Sequence, residues 1–357
     1  MTNDSTSVVE HLIRLPTLPP RQYGTSQDAG GTETTRHAAR SRGDGRDDAL
    51  TRVAICALTY LRPVGLTRLL QELDQLTIPD DVEVRVFVVD NDPERSAEPL
   101  THVHAAASPL DVAYVHEPIR GISAGRNASI AAARDWGADA LCFIDDDEWP
   151  EPDWLLELVS TARRTGADVV TGPVFPVFDE PPPSWIIEGR YFERPRHDHD
   201  GLIDYATTSS VLIDMACLED RAEPFDAEFG LSGGSDTHLF AELYDAGRRI
   251  VWCDHAHVYE SIPSSRVDAA WLLRREYRRG QTMSRSLRRR DPRMVRYLRR
   301  LANATLQAAS GLAILVAGLP FGRARWFRGA KMIVLGAGMV TGLVSRGYQE
   351  YRHTHGT

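Results

Sequence analysis

Between Val53 and Val174 short apolar runs alternate with amphipathic stretches of helical period. Val53 to Leu58 is an apolar run, and Leu66, Leu69, Leu70, Leu73 and Leu76 then fall on one stripe of a helix. Val84 to Val89, Val112 to His116, Leu141 to Ile144 and Ala167 to Val174 read as further strands. Gly121 to Trp136 and Trp154 to Arg164 read as helices. This rhythm predicts an α/β fold, a mostly parallel central sheet covered by helices on both faces. Ligands of such sheets collect outside the carboxyl ends of the strands. Asp90, Asp145 and Asp147 all fall at strand ends, so three carboxylates gather along one sheet edge. A Rossmann dehydrogenase shares the rhythm but needs a GxGxxG turn after its first strand. Here that strand runs into Thr59-Tyr60-Leu61-Arg62-Pro63, with no glycine before Gly65.

The run Phe143-Ile144-Asp145-Asp146-Asp147-Glu148-Trp149-Pro150 places three consecutive carboxylates at the end of an apolar strand. Such crowding is costly unless positive charge sits beside it. A hard divalent cation, Mg²⁺ or Mn²⁺, bound through oxygen and open to substrate phosphates, is one partner. A solvated acidic turn is the alternative.

The net charge of −9 hides a division. From Arg266 onward, 18 Arg and Lys331 face only Asp268, Glu276, Asp291 and Glu350, a balance of +15, which leaves −24 on the first 265 residues. An acidic body with a basic tail points to an anionic partner. Trp271 to Arg300 holds twelve Arg, and two apolar stretches follow, Ala304 to Leu319 and Met332 to Val344. Both fall short of the ~20 residues a spanning helix needs. They predict an interfacial or re-entrant hairpin on an anionic membrane surface, with Gly338 and Gly342 letting its helices approach. A soluble helical pair, or a homo-oligomer contact, is the alternative. Nucleic acid is not expected, because an apolar hairpin serves it poorly. Cys56, Cys142, Cys217 and Cys253 form no CxxC pair and read as reduced core residues without a zinc site. Residues 1 to 50 are polar and predicted to be a disordered leader. The expected domains are 1–50, a catalytic domain over 51–265, a basic helical segment over 266–301 and an apolar hairpin over 302–357.

Five segments stand in a recognisable order: Val53 to Arg62; Val88-Val89-Asp90-Asn91; Gly121-Ile122-Ser123-Ala124-Gly125-Arg126-Asn127; Asp145-Asp146-Asp147; and Gly233-Gly234-Ser235-Asp236. Over about Val53 to Gly280 the chain resembles family 2 glycosyltransferases of GT-A fold, of the bacterial exopolysaccharide and cell-envelope type similar to succinoglycan glucosyltransferases. The resemblance implies that Thr59, Tyr60 and Asp90 hold the nucleotide base. A carboxylate can accept from a uracil N–H, and an aromatic ring can stack on the base. The helix opened by Gly121 would attract phosphate at its N-terminus, with Arg126 adding a cation. Asp147 would bind the metal and Asp145 the nucleotide sugar, supported by Asp146. Asp236 would be the base that takes the acceptor hydroxyl proton during in-line, inverting displacement. The metal would neutralise the departing diphosphate. The family's usual Gly-Gly-Glu-Asp reads Gly-Gly-Ser-Asp here, and Ser235 bears on acceptor geometry more than on the base. Asp236 would equally suit a helix N-cap. His257 is a weaker candidate metal ligand, and Trp185 and Arg190 are candidates for the acceptor side.

The implied enzyme passes a sugar from a nucleotide-diphosphate donor, expected to be UDP-linked, to a glycan or polyprenyl-diphosphate-linked acceptor. Its expected place is the cytoplasmic face of a bacterial membrane, held peripherally or monotopically. Two other readings stay open. A nucleotidyltransferase would want a Gly-rich, Lys-bearing turn after the first strand, whereas the single lysine is Lys331. A non-catalytic membrane scaffold retaining a nucleotide pocket is favoured only by Ser235.

Overall fold

The computed structural model describes residues 51–344 apart from Leu231 and Pro292. The expected leader, 1–50, and the chain from 345 onward lie outside the described residues. The elements run β1 (Thr51–Thr59), α1 (Pro63–Leu73), β2 (Val82–Asp90), α2 (Glu98–Ala105), β3 (Asp111–His116), α3 (Ile122–Trp136), β4 (Ala140–Asp145), β5 (Glu148–Pro150) and α4 (Trp154–Thr165). There follow β6 (Val169–Thr171), β7 (Val174–Phe178), α5 (Ser184–Gly189), β8 (Leu202–Ile203), β9 (Val211–Asp214), α6 (Ser235–Asp245), β10 (Ile250–Trp252) and β11 (Val258–Ile262). Three long helices close the described chain: α7 (Ala269–Arg290), α8 (Met294–Gly318) and α9 (Arg323–Gly342).

Eight strands form the central sheet in the order β3-β2-β1-β4-β9-β6-β10-β8. Its first half, β3-β2-β1-β4, is parallel throughout. Beyond it β9 runs antiparallel between β4 and β6. A smaller sheet, β5-β11-β7, stands beside the end of β4. Successive strand residues face opposite sides, so β1 divides its side chains between two cores. Val53, Ile55 and Ala57 join α1 and α4 on one face, through Leu66, Leu69, Leu70, Trp154 and Leu158. Ala54 and Cys56 join α3 and α6 on the other, through Ile130, Ala133, Leu239, Phe240 and Leu243. All four cysteines are buried and free.

Among the described residues, the chain before and after 265 packs into one compact unit. A third apolar cluster ties Tyr191 and Phe192 to Ile262, Leu272 of α7 and Phe327 of α9. The apolar hairpin forms, but α8 begins at Met294, ten residues before the expected stretch. Met294–Phe321 is therefore long and apolar enough to cross a membrane by length and composition. The two glycines expected between the hairpin helices serve another contact. A Cβ at Gly338 or Gly342 would strike the backbone of Tyr277 or Gln281 on α7, whereas Gly329 and Gly336 lie against α8. Helix α9 is thus held between α7 and α8, and α8 leaves Leu298, Leu306, Leu312 and Val316 exposed.

Candidate active site

The parallel register aligns the strand ends. Leu58 pairs with Asp145 across β1 and β4, and Thr59 pairs with Asp90 across β1 and β2. Beyond these ends lies a cavity of about 310 Å³. Leu58, Thr59 and Tyr60 line one wall, Asp145, Asp146 and Asp147 the floor, and Gly121 and Ile122 a third side. The remaining wall comes from Phe192, Glu260, Arg266 and the first turns of α7, through Trp271, Arg275 and Arg278. Phe192 and Trp271 stack with ring centroids 5.7 Å apart, and the Arg275 guanidinium lies 5.5 Å from the Trp271 centroid. Arg120 lies over the Tyr60 ring at 4.9 Å.

The acidic triplet is held by a ring of opposite charges. Asp146 accepts from the Thr59 hydroxyl and from Arg62, both at 2.9 Å. Asp147 accepts from the same Arg62 nitrogen at 2.9 Å and from Arg266 at 3.3 Å. Glu260 is bound by Arg194 at 2.7 Å, and Arg194 also reaches the buried Glu148 at 3.6 Å. Burial pushes the Asp145 carboxyl up to about 7; Arg126 pulls it back, while Asp147, Asp146 and Glu260 add to the rise. Burial likewise lifts Asp146 to about 6, against the pull of Arg62. Burial also acts to raise Glu260, but Arg194, Arg275 and Arg266 together outweigh it and hold that carboxyl below its ordinary range. The floor is therefore short of positive charge at Asp145 and Asp146 even with Arg62 and Arg266 in place.

Asp145, Asp147 and Glu260 offer carboxylate oxygens to the cavity, the donor type that a hard divalent cation takes. Arg62 and Arg266 share the Asp147 oxygen that a cation would take. No cluster of three or more His, Cys, Asp or Glu placed to hold a metal occurs among the described residues.

Thr59, Tyr60, Asp145, Asp146 and Asp147 come together as cavity walls. Other expected site residues do not. The Asp90 carboxylate, fully buried, accepts from the backbone N–H of Asp92 at 3.0 Å and of Ala97 at 2.8 Å, and from the Tyr114 hydroxyl at 3.1 Å. It shapes the loop after β2, and its neighbour Asn91 lines the cavity instead. Asn91 also accepts from the Gly121 N–H at 2.7 Å, and the Ile122 N–H donates to Gly230 at 3.0 Å. Two of the first N–H groups of α3 are therefore already engaged. Arg126, one turn further, faces α6: it donates to the Ser235 hydroxyl at 3.1 Å and lies 5.5 Å from the Phe225 centroid. Its charge bears on Asp145 from behind the cavity wall. Asp236, in the first turn of α6, accepts from the Thr237 N–H at 2.7 Å and is not among the cavity-lining residues.

His257 is set apart from the acidic floor. Its ring nitrogens contact Glu151 and the Asp254 carbonyl, each at 3.0 Å, and Phe175 packs edge-on at 5.2 Å. That environment ties the start of β11 to the segment after β5; both ring nitrogens have partners there, and His257 does not line the cavity. Trp185 is covered by α9, with Arg323 at 4.2 Å and Phe327 at 4.9 Å from its ring centroid. Arg190 pairs with Glu193 at 2.6 Å. Neither lines the cavity, whose walls take Phe192 and Trp271 instead. The arginines of α7 were legible as a basic helix, but nothing in their spacing says that its first turns cover the strand ends.

A model of glycosyl transferase family 2 matches residues 55–219. Succinoglycan biosynthesis protein ExoM of Rhizobium meliloti (strain 1021) is 36% identical over 296 residues, covering 82% of this chain and 92% of that protein. Putative glycosyltransferase EpsH of Bacillus subtilis (strain 168) is 28% identical over 110 residues, 31% of this chain and 30% of that one. Among solved structures, residues 1–349 of S. aureus TarS in complex with UDP-GlcNAc align over 82% of this chain and 91% of that chain, with 14% identity and a TM-score of 0.46.

Proposed function

The chain belongs to glycosyl transferase family 2, and we propose that it moves a sugar from a UDP-sugar to a glycan or lipid-linked acceptor in exopolysaccharide synthesis. The observation that carries this reading is the cavity itself. A hydroxyl and an aromatic ring at the end of β1 (Thr59, Tyr60), an acidic floor (Asp145–Asp147) and a cationic wall (Arg266, Arg275, Arg278) meet in one space. The base and ribose would lie along Thr59, Tyr60 and Asn91. The diphosphate would lie between the floor and the arginines, which supply charge-assisted hydrogen bonds to phosphate oxygens. Asp147, with Asp145, would hold Mg²⁺ or Mn²⁺, which supplies charge neutralisation to the departing diphosphate when bound. Arg62 and Arg266 would then turn from Asp147 toward phosphate.

Asp236 would accept the proton of the attacking hydroxyl, giving inversion at the anomeric carbon. Ser235 supports the approach of α6 through its bond to Arg126. The exopolysaccharide setting rests on the relative's name and its near full-length match. The exposed apolar face of α8, with the basic residues around it, supports attachment at an anionic membrane surface.

The test is transfer from radiolabelled UDP-sugars into lipid-extractable or polymeric product by the full chain. Asp236→Asn should cut transfer by about 10²–10⁴-fold, the usual contribution of a positioned general base, while UDP affinity stays within twofold. Transfer at a near-normal rate would remove Asp236 from the chemistry.

A further inference from the structure

Asp236 stands in the first turn of α6, and the chain that delivers it has little conformation of its own. Gly233 and Gly234 have φ of +75° and +90°, the left-handed region that favours glycine. Where Asp236 stands therefore depends on what grips this loop from outside. Helix α3 holds one side: the Ile122 N–H donates to the Gly230 carbonyl at 3.0 Å, and Arg126 donates to the Ser235 hydroxyl at 3.1 Å. The other side belongs to α7. Arg285 is buried, and its guanidinium forks. One nitrogen donates to the Ser232 hydroxyl at 2.6 Å, the other to the Glu228 carbonyl at 2.9 Å. The same group lies 4.6 Å from the Phe229 centroid, and Phe229 stacks on His238 of α6 at 5.0 Å. One turn earlier, Thr282 closes on Gly234, where a Cβ would strike its methyl group. A single side chain thus ties down the loop and, through Phe229, the helix that follows it.

We infer that Arg285 is a positioning residue for the transfer step: its two-point hold on Ser232 and Glu228 sets where the Asp236 carboxylate stands, and it touches no substrate itself. The inference rests on the reading of Asp236 as the base and adds what aims it. Both acceptors of the fork are neutral, so the contact serves geometry rather than charge balance. A planar guanidinium suits that task, because it fixes two acceptors at once where an ammonium on a flexible stem does not. Arg285 is also remote from the donor side of its own helix. Arg278, which lines the cavity, lies seven residues back, or about 10 Å along the axis. The hold on the loop is therefore separable from the cavity wall that the first turns of α7 provide.

Steady-state transfer by the full chain from radiolabelled UDP-glucose, UDP-galactose and UDP-GlcNAc, with UDP affinity measured by calorimetry, tests this. Misplacing a reacting group by about 1 Å costs on the order of 10²-fold. Arg285→Met should therefore lower kcat about 100-fold while donor KM and UDP affinity stay within about twofold. Arg285→Lys keeps the cation without the fork and should recover about tenfold of that loss. Ser232→Ala removes one arm from the loop side and should lower kcat about tenfold. Residues that act through one another are not additive, so adding Arg285→Met to Asp236→Asn should cost less than about twofold more. Losses that multiply in the double variant, or UDP affinity that falls along with kcat, would reduce Arg285 to a structural tie and overturn the inference. An unchanged kcat in Ser232→Ala would overturn it too. Should Arg285→Met fail to fold, Ser232→Ala alone and combined with Asp236→Asn decides by the same readouts. Near-normal transfer by Asp236→Asn alone overturns the base reading, and the inference with it, and is told apart because Arg285 is then intact.

Discussion

Replacing Asp145 by Asn should stabilise the cation-free protein at alkaline pH and leave it almost unchanged near pH 3, below the ordinary carboxylate value. In the folded chain the Asp145 carboxyl is raised by burial, and by its neighbours Asp147, Asp146 and Glu260, to about 7 from an ordinary 3.8. The fold therefore favours the protonated form. This contribution is fully present below the unfolded value and is lost as pH rises through the folded one. A rise of about three units corresponds to roughly 4 kcal/mol, at about 1.4 kcal/mol per unit. Asp145 is only partly covered from solvent, and screening reduces the expected figure to about 2 kcal/mol. Asn keeps the shape and can still accept from Ser209, whose hydroxyl lies 3.4 Å from the carboxylate. The pull of Arg126 is already contained in the raised value. Urea unfolding with a chelator present, from about pH 3 to about pH 8, should show the variant gaining on the wild type by about 2 kcal/mol across that range. A difference that does not change with pH, or a variant less stable at the alkaline end, would refute the reasoning. Added Mn²⁺ should restore the wild type at alkaline pH and do little for the variant.

Two further substitutions probe the surroundings of the site. Trp154→Ala removes a fully buried side chain whose indole N–H donates to Ser210 at 3.0 Å. It should cost roughly 3–5 kcal/mol in urea unfolding. His257→Ala breaks the contacts to Glu151 and Asp254 and should cost about 1 kcal/mol. It should leave Mn²⁺ stimulation of UDP binding intact in calorimetry; loss of that stimulation would return His257 to the metal set.

The layered fold was legible because local periodicity dictates it. Alternate residues of Val53–Ala57 must part to opposite faces of a strand, and the Leu66–Leu73 stripe must find one of them. The acidic triplet was legible for the same reason, since a strand ending in three carboxylates places them at a sheet edge. Asp90 was expected at the base; the Asp-Asn-Asp-Pro sequence also favours side-chain-capped turns, and its carboxylate accepts from the loop backbone in that way. Arg62 and Arg266 were not legible. They meet Asp147 across 85 and 119 residues of chain, and no period carries such a distance. The α7 arginines were read as facing a partner outside the protein. The stacked pair Phe192 and Trp271 also holds the first turns of that helix over the strand ends, for which the sequence carried no local signal. Gly338 and Gly342 were correctly read as points of close helix approach but given the wrong neighbour, because small residues permit contact without naming a partner.

The central claim is that the acidic floor beyond β1 and β4 holds a cation that grips a nucleotide diphosphate. Calorimetric titration of UDP into the full chain, in Mn²⁺ and in EDTA, for wild type and Asp147→Ala, tests it most directly. The account predicts that Mn²⁺ tightens UDP binding to the wild type, and that the Ala variant binds with one weak affinity in both buffers. Equal affinity of the wild type with and without Mn²⁺, unaffected by the substitution, would contradict it.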